Sequence, residues 1–233
     1  MGSTSVIEYV DNQWRGETIK PTHDPWYRFG RVLQTLESIT KIPQSSTWLD
    51  LGCNQGQLLE LLSRRNKVIP TGMDDWDPQL NRGSFRYFQR DLGKGFALDE
   101  QFDFISALEV LEHIIDTDKF LDECHKHLKP TGYLILTTPN INSLRNRLQV
   151  PLGKYPAGLE YRNEIHHVRL YNNPALKSHL SEHGFKVICS RGVSFLPVSV
   201  LTNAVADRIS TILASAFPQL CNNLIVIAQK NIA

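Results

Sequence analysis

The sequence predicts an α/β fold: a doubly wound, mostly parallel sheet with helices on both faces. Three observations carry this reading. Short apolar runs alternate with stretches whose leucines recur at helical spacing. The run ending at Leu51 passes through a glycine-bearing turn directly into such a helix. The chain, at 233 residues, suits one α/β domain with a full core and modest additions.

The elements follow in order. Residues 1–23 are polar and read as an irregular segment, with a single domain over 24–233. Asp24 caps a first helix and Pro25 occupies its first position. Its apolar stripe is Trp26, Phe29, Val32, Leu33 and Leu36. A strand through Trp48 and Leu51 leads into the turn Gly52–Gly56, then a helix carrying Leu58, Leu59, Leu61 and Leu62. Val68 to Met73 is the second strand, although Pro70 inside it cannot donate to a ladder. A loop over 76–83 replaces a full helix before the third strand, Phe85 to Gln89. The fourth strand begins at Phe102. A helix bearing Phe120, Leu121, Cys124 and Leu128 follows, and then a turn into the fifth strand, Tyr133 to Thr138. Residues 140–172 form a long connection rich in Arg, Asn and Tyr, and a connection of that length in a compact domain is usually functional. Asn173 caps the next helix, with Pro174 first, Leu176 and Leu180 inward and Gly184 at its end. Phe185 to Ser190 is a sixth strand and Leu224 to Ala228 a seventh. Between them, 195–217 reads first as an amphipathic helix covering the sheet, second as a homodimer contact and third as a lipid-facing surface.

Composition narrows the function. Lys and Arg number 25 against 24 Asp and Glu, so no net field draws the chain to nucleic acid. The four cysteines lack disulfide or metal spacing, and with no secretory signal pattern the expected location is the cytoplasm. No apolar run is long enough for stable membrane insertion. His125 and His127 lie two apart on a helix and read as surface residues. No metal is expected.

The turn after the first strand carries the chemistry. Gly52 and Gly56 let a ligand lie against bare backbone. Their spacing is not the G-x-G-x-x-G of a dinucleotide site, which argues against a nicotinamide dehydrogenase. Asp50 just before them would repel a pyrophosphate and suits a cationic or amino-bearing ligand. Leu-Asp-Leu-Gly-Cys-Asn-Gln-Gly, residues 49–56, resembles the first motif of class I S-adenosylmethionine-dependent methyltransferases, usually D-x-G-x-G-x-G. Asn54 stands where a glycine is commoner, but asparagine tolerates left-handed backbone. Gly72-Met73-Asp74, Arg90-Asp91-Leu92, the run 102–114 and Leu128-Lys129-Pro130-Thr131-Gly132-Tyr133 match four later motifs in the right order.

The resemblance implies a seven-stranded sheet in the order 3-2-1-4-5-7-6 with the last strand antiparallel. It also implies S-adenosyl-L-methionine as cofactor and S-adenosyl-L-homocysteine as product. The implied cofactor residues are Asp50, Gly52, Asn54 and Gly56 in the loop, Asp74 for the ribose hydroxyls, and Asp91 with Leu92 for adenine. Leu108 and Glu109 lie at the end of the fourth strand, and Arg28 is assigned to the donor carboxylate. Similar family members include quinone-biosynthesis O-methyltransferases, which have a histidine near 166–167. One of His167 and His166 is therefore the candidate general base, with His167 preferred; both could equally just bond backbone carbonyls. Trp26, Tyr27, His113, Asn140 and Tyr161 are the candidates for contact with a small-molecule acceptor.

Methyl transfer from a sulfonium is an in-line displacement that needs near-attack geometry and often a proton acceptor. The expected function is O-methylation of a small molecule. N-methylation comes next, and a non-catalytic scaffold or sensor that binds the donor remains open. Nucleic-acid methylation is disfavoured: Pro139-Asn140 lacks the aromatic partner of amino-methylating motifs and no Pro-Cys nucleophile is present.

Overall fold

The computed structural model describes residues 25–66, 68–75, 85–157, 167–193 and 204–231. In chain order the elements are α1 (Pro25–Glu37), β1 (Thr47–Leu51), α2 (Gln57–Asn66), β2 (Ile69–Asp74), β3 (Arg86–Gln89) and β4 (Phe102–Leu108). Then come α3 (Thr117–His127), β5 (Leu128–Pro139), α4 (Leu144–Gln149), α5 (Asn173–Glu182), β6 (Phe185–Gly192), α6 (Ala204–Ala216) and β7 (Asn223–Lys230). The seven strands form one sheet in the order β3-β2-β1-β4-β5-β7-β6. β1 to β5 pair in parallel, and β7 runs antiparallel to both β5 and β6. The chain winds outward from β1 to β3, then returns to place β4 on the other side of β1. That reversal leaves a crevice at the carboxyl ends of β1 and β4, where ligands bind in open α/β sheets.

Two apolar cores flank the sheet, and the period-2 alternation of the strands divides them. Ile135, Ile225 and Ile227 face Val32, Leu33 and Leu36 of α1 and Leu58, Leu59, Leu61 and Leu62 of α2. Leu134, Leu136, Leu224 and Val226 face Phe120, Leu121 and Cys124 of α3 and Leu176 and Leu180 of α5. Each such leucine, fully buried, contributes about 1.5–3 kcal/mol of transfer free energy.

Several local expectations are corrected. Pro70 sits within β2 without penalty. Ile69 N–H donates to Ser46 O on the β1 side, so alternation turns the nitrogen of residue 70 toward β3, whose pairing starts only at Thr71. β5 starts at Leu128, not Tyr133, because Leu128 pairs with Phe102 before a register shift at Phe102–Phe104. The cap of α5 is Asn172, whose side chain accepts from Ala175 N–H; Asn173 already lies inside the helix. His127 is buried, not a surface residue. Leu98 N–H donates to its Nε2 (3.0 Å), and its Nδ1 donates to Glu123 O (2.8 Å).

In α6 the small residues Ser210 and Ala214 are buried, while Ile209 and Ile212 are 51% and 61% exposed. The helix covers the sheet with its small face. Residues 195–203 of that stretch, the segment 1–23 and the loop 76–83 lie outside the described residues. Among the described residues no helix is long and apolar enough to cross a membrane.

Candidate active site

A cleft of about 590 Å³ opens at the carboxyl ends of β1, β2 and β4. Its floor is the β1–α2 turn. Gly52 and Cys53 N–H both donate to Met73 O, at 2.8 and 3.2 Å, which ties the turn to β2. Three residues in five take left-handed backbone: Gly52 (φ 70°), Asn54 (φ 46°) and Gly56 (φ 73°). A Cβ on Gly52 would run into Val110, and one on Gly56 into the Phe85 ring. The glycines are therefore required both for backbone geometry and for close approach. Asn54 adopts the same region, so the departure from glycine there leaves the loop intact.

The acids around this floor divide into two kinds. Asp50 is 4% exposed, lies under the turn and does not line the cleft. Its Oδ1 accepts from Ser106 Oγ at 2.5 Å, and Ser106 Oγ in turn accepts from Trp48 Nε1 at 2.8 Å. Burial pushes its carboxyl up to about 7, partly opposed by the Ser106 bond and assisted by the Asp74 charge. Asp74, by contrast, lines the cleft. Its Oδ2 accepts from Asn54 N–H at 2.7 Å and its Oδ1 from Asp75 N–H at 2.8 Å. Each oxygen keeps a further lone pair, enough to accept two ribose hydroxyls. Burial raises its carboxyl above the ordinary range.

The far wall is Asp91 and Leu92, both lining the cleft. Asp91 caps a short 3-10 turn, accepting from Gly93 N–H at 3.0 Å, and pairs with Lys94 at 3.0 Å. That bond to Lys94 holds its carboxyl below the usual range. Asp75, Lys94, Ile114 and Ile115 also line the cleft and were missed in sequence. They flank motif residues, which is the only signal that would have found them.

The opposite end of the cleft is formed where β4 and β5 stop. Leu108 is partly buried at the end of β4. Glu109 lines the cleft in left-handed backbone (φ 59°). Its N–H donates to Thr137 O, and its Oε2 accepts from Asn223 Nδ2 at 2.7 Å. Glu112 was not predicted as a site residue, yet it is fully buried beside the wall. Its Oε2 accepts from Thr138 Oγ1 at 3.1 Å. Burial, reinforced by the Glu109 charge, pushes its carboxyl up to about 8, with nearby Arg28 opposing. Glu109 Oε1 and Glu112 Oε1 are both buried with no hydrogen-bond partner among the described residues. His113 lines the cleft, and its ring meets that of His167 edge to face with centroids 4.7 Å apart. One ligand atom each of Glu112, His113 and His167 lies within 4.8 Å of the others, a spacing that suits proton exchange or a cation. His167 reaches this point because Val168 and Arg169 N–H both donate to Glu112 O, at 2.8 and 3.1 Å.

The remaining expected residues fall elsewhere. Arg28, expected to meet the donor carboxylate, is half-buried on α1 near Glu112 and is not in the cleft lining. Tyr27 is buried at 3% exposure. Asn140, expected to face the acceptor, is a turn residue. Both Nδ2 hydrogens are donated, to Gln219 O and Cys221 O, and Oδ1 accepts from Asn142 N–H. Its amide is consumed in tying the end of β5 to 219–221. His166, Tyr161 and the Trp26 side chain lie outside the described residues.

A sheet wound in this order, a tight glycine turn after β1 and carboxylates within β1, at the end of β2 and after β3 together make the frame of the class I S-adenosylmethionine-dependent methyltransferase fold. The chain belongs to the methyltransferase domain family, whose profile matches residues 26–190. Among curated relatives, the mitochondrial ubiquinone biosynthesis O-methyltransferase of Bos taurus is 29% identical over 164 residues, covering 65% of this chain and 44% of that one. The ubiquinone biosynthesis O-methyltransferase of Maricaulis maris is 27% identical over 161 residues, covering 65% and 63%. The chain spans about half the length of the curated relatives it matches. Among solved structures, an S-adenosylmethionine-dependent methyltransferase from Clostridium acetobutylicum superposes with a TM-score of 0.62 at 14% identity, covering 90% of this chain and 93% of that one. At that identity the likeness speaks for the fold.

Proposed function

We propose that this chain transfers the methyl group of S-adenosylmethionine to a hydroxyl of a small-molecule acceptor. The observation that carries the reading is the two-ended cleft. Gly52, Asp74 and Asp91 line a donor end, and at the other end His113 lines the cleft with His167 and Glu112 grouped directly behind it. The donor end is rimmed by carboxylates, and a sulfonium with an α-amino group is the ligand such a rim favours. The acceptor hydroxyl gives its proton to His167 as its oxygen attacks the methyl carbon in line. The sulfur–carbon bond breaks, and the sulfonium leaves as neutral S-adenosylhomocysteine. His113, packed edge-on against His167, holds that ring in place. Names of relatives as O-methyltransferases support oxygen over nitrogen as the acceptor atom. The four free cysteines fit the expected reducing cytoplasm, and the exposed Ile209 and Ile212 of α6 fit a homodimer contact.

A second reading rests on the orphaned Glu109 and Glu112 oxygens. A divalent cation held by Glu112, His113 and His167 would polarise the same hydroxyl in place of a general base. One experiment addresses both. Methyl transfer from labelled donor to a panel of phenols, catechols and amines is measured for wild type and His167→Gln, with and without chelator. Turnover on a hydroxyl acceptor that falls about 10²–10⁴-fold in the variant and survives chelation supports the base. Loss on chelation favours the cation. Donor binding without turnover on any acceptor would overturn the enzymatic reading in favour of a donor-binding scaffold.

A further inference from the structure

A second cluster of metal-ligating side chains lies away from the cleft, between α3 and α5. Asp118 and Asp122 are four apart on α3; His179 on α5 and His183 just past its end are also four apart. Residues at that spacing share a helix face, and these two faces oppose each other. His179 Nε2 is 2.8 Å from Asp118 Oδ1, and His183 Nε2 is 3.6 Å from the same oxygen. One ligand atom each of Asp118, His179 and His183 lies within 4.8 Å of the others. Ligand atoms around a tetrahedral zinc at 2.0–2.1 Å stand about 3.3 Å apart. The two distances measured here straddle that value.

The outer nitrogens supply an independent observation. A histidine that binds a metal through one nitrogen almost always has the other engaged by a carboxylate or another polar group, which sets its tautomer and orientation. His183 Nδ1 donates to Asp122 Oδ1 at 2.7 Å. His179 Nδ1 lies 3.1 Å from the Tyr171 hydroxyl, which can accept as well as donate. Both rings are therefore held from behind, and both present Nε2 to one carboxylate. Arg169, a cation whose charge reaches Asp118, donates its guanidinium N–H to Ile115 O at 2.9 Å. Ordinary histidine–aspartate ion pairs would need only one contact each; they would not require both Nε2 atoms to converge.

We propose that Asp118, His179 and His183 form a zinc-type site for a divalent transition metal, with water completing the coordination. Two imidazoles and one carboxylate select a borderline-soft cation over magnesium or calcium. The site clamps α5 to α3. Tyr171 and the residues leading back to His167 sit at the start of α5, so the clamp also steadies the wall that carries the proposed base. The proposal does not depend on which reaction the cleft performs.

The test is zinc titration of the chelator-stripped chain by calorimetry, with cobalt uptake followed by its ligand-field absorbance. His183→Gln, Asp118→Asn and His167→Gln are compared with wild type. The expected result is one zinc equivalent that His183→Gln and Asp118→Asn each lose and His167→Gln keeps. Tetrahedral cobalt absorbance should disappear with it. At zinc a hundredfold above Kd, the wild-type Tm should rise by about 5–10 °C, with no rise in the two variants. Equal zinc stoichiometry and affinity in wild type, His183→Gln and Asp118→Asn would overturn the proposal, as would no zinc uptake by wild type. Asp118 is exposed, so Asp118→Asn should fold and decides the matter if His183→Gln does not.

Discussion

The turn 52–56 and the wall 109–113 stand at the ends of adjacent strands, β1 and β4, yet they are built by opposite means. The turn is made almost entirely of backbone. Left-handed residues, two amide bonds to Met73 O and the absence of Cβ atoms shape it. The wall is made of side chains drawn from far apart. Glu109 is held by Asn223, Glu112 by Thr138, and His167 arrives from the segment before α5. A backbone-built site tolerates little change in residue type but is written in a short stretch. A wall assembled from distant side chains can change its chemistry with one substitution, which is where acceptor choice resides on a shared fold.

Three experiments would break or sharpen this contrast, beginning with the largest effect. Gly52→Val forces a β-branched residue into φ 70° against Val110. Donor affinity should fall about 100-fold or more by calorimetry, equivalent to at least about 2.7 kcal/mol. Affinity within tenfold of wild type would mean the turn is not the donor platform.

The second concerns the wall. Glu112 ionises near 8 in the folded chain but near 4.5 when unfolded. Between those values the folded state binds the extra proton, so stability falls as pH rises. Glu112→Gln, neutral throughout, escapes that loss. Denaturant unfolding should find the variant close to wild type at about pH 5. By about pH 8.5 it should be more stable by about 1–3 kcal/mol. Parallel pH profiles for the two proteins would show that burial does not hold the proton there.

The smallest effect is expected at Asn172, which caps α5 and so supports the wall from outside. Asn172→Ala removes the bond to Ala175 N–H and should cost about 1 kcal/mol, or about 2–4 °C in Tm. Donor binding should be unchanged. Weakened donor binding would show that the two ends of the cleft are coupled more tightly than their construction implies.

The sequence alone determined the fold class, the strand order through its motifs, and residues at the β1–β3 end that line the cleft. Those features are encoded locally: apolar period, glycines next to a strand end, and a carboxylate within or just past the end of each of three strands. The first helix and its buried stripe were legible for the same reason. Tertiary structure alone decided which polar residues were spent on architecture. Asn140 has the composition of a binding residue, but neighbours 79 and 81 positions away take both its amide hydrogens. Arg31 is buried by bonds to the carbonyls of Val193 and Gly192, more than 160 residues distant. Glu112 carries no local mark of its burial, which comes from β5 and the segment before α5 closing over it. The pairing of His179 and His183 with Asp118 likewise exists only once α3 and α5 meet. Backbone conformation is set within a few residues, whereas the partner of a side chain is set by chain closure, and no local pattern records it.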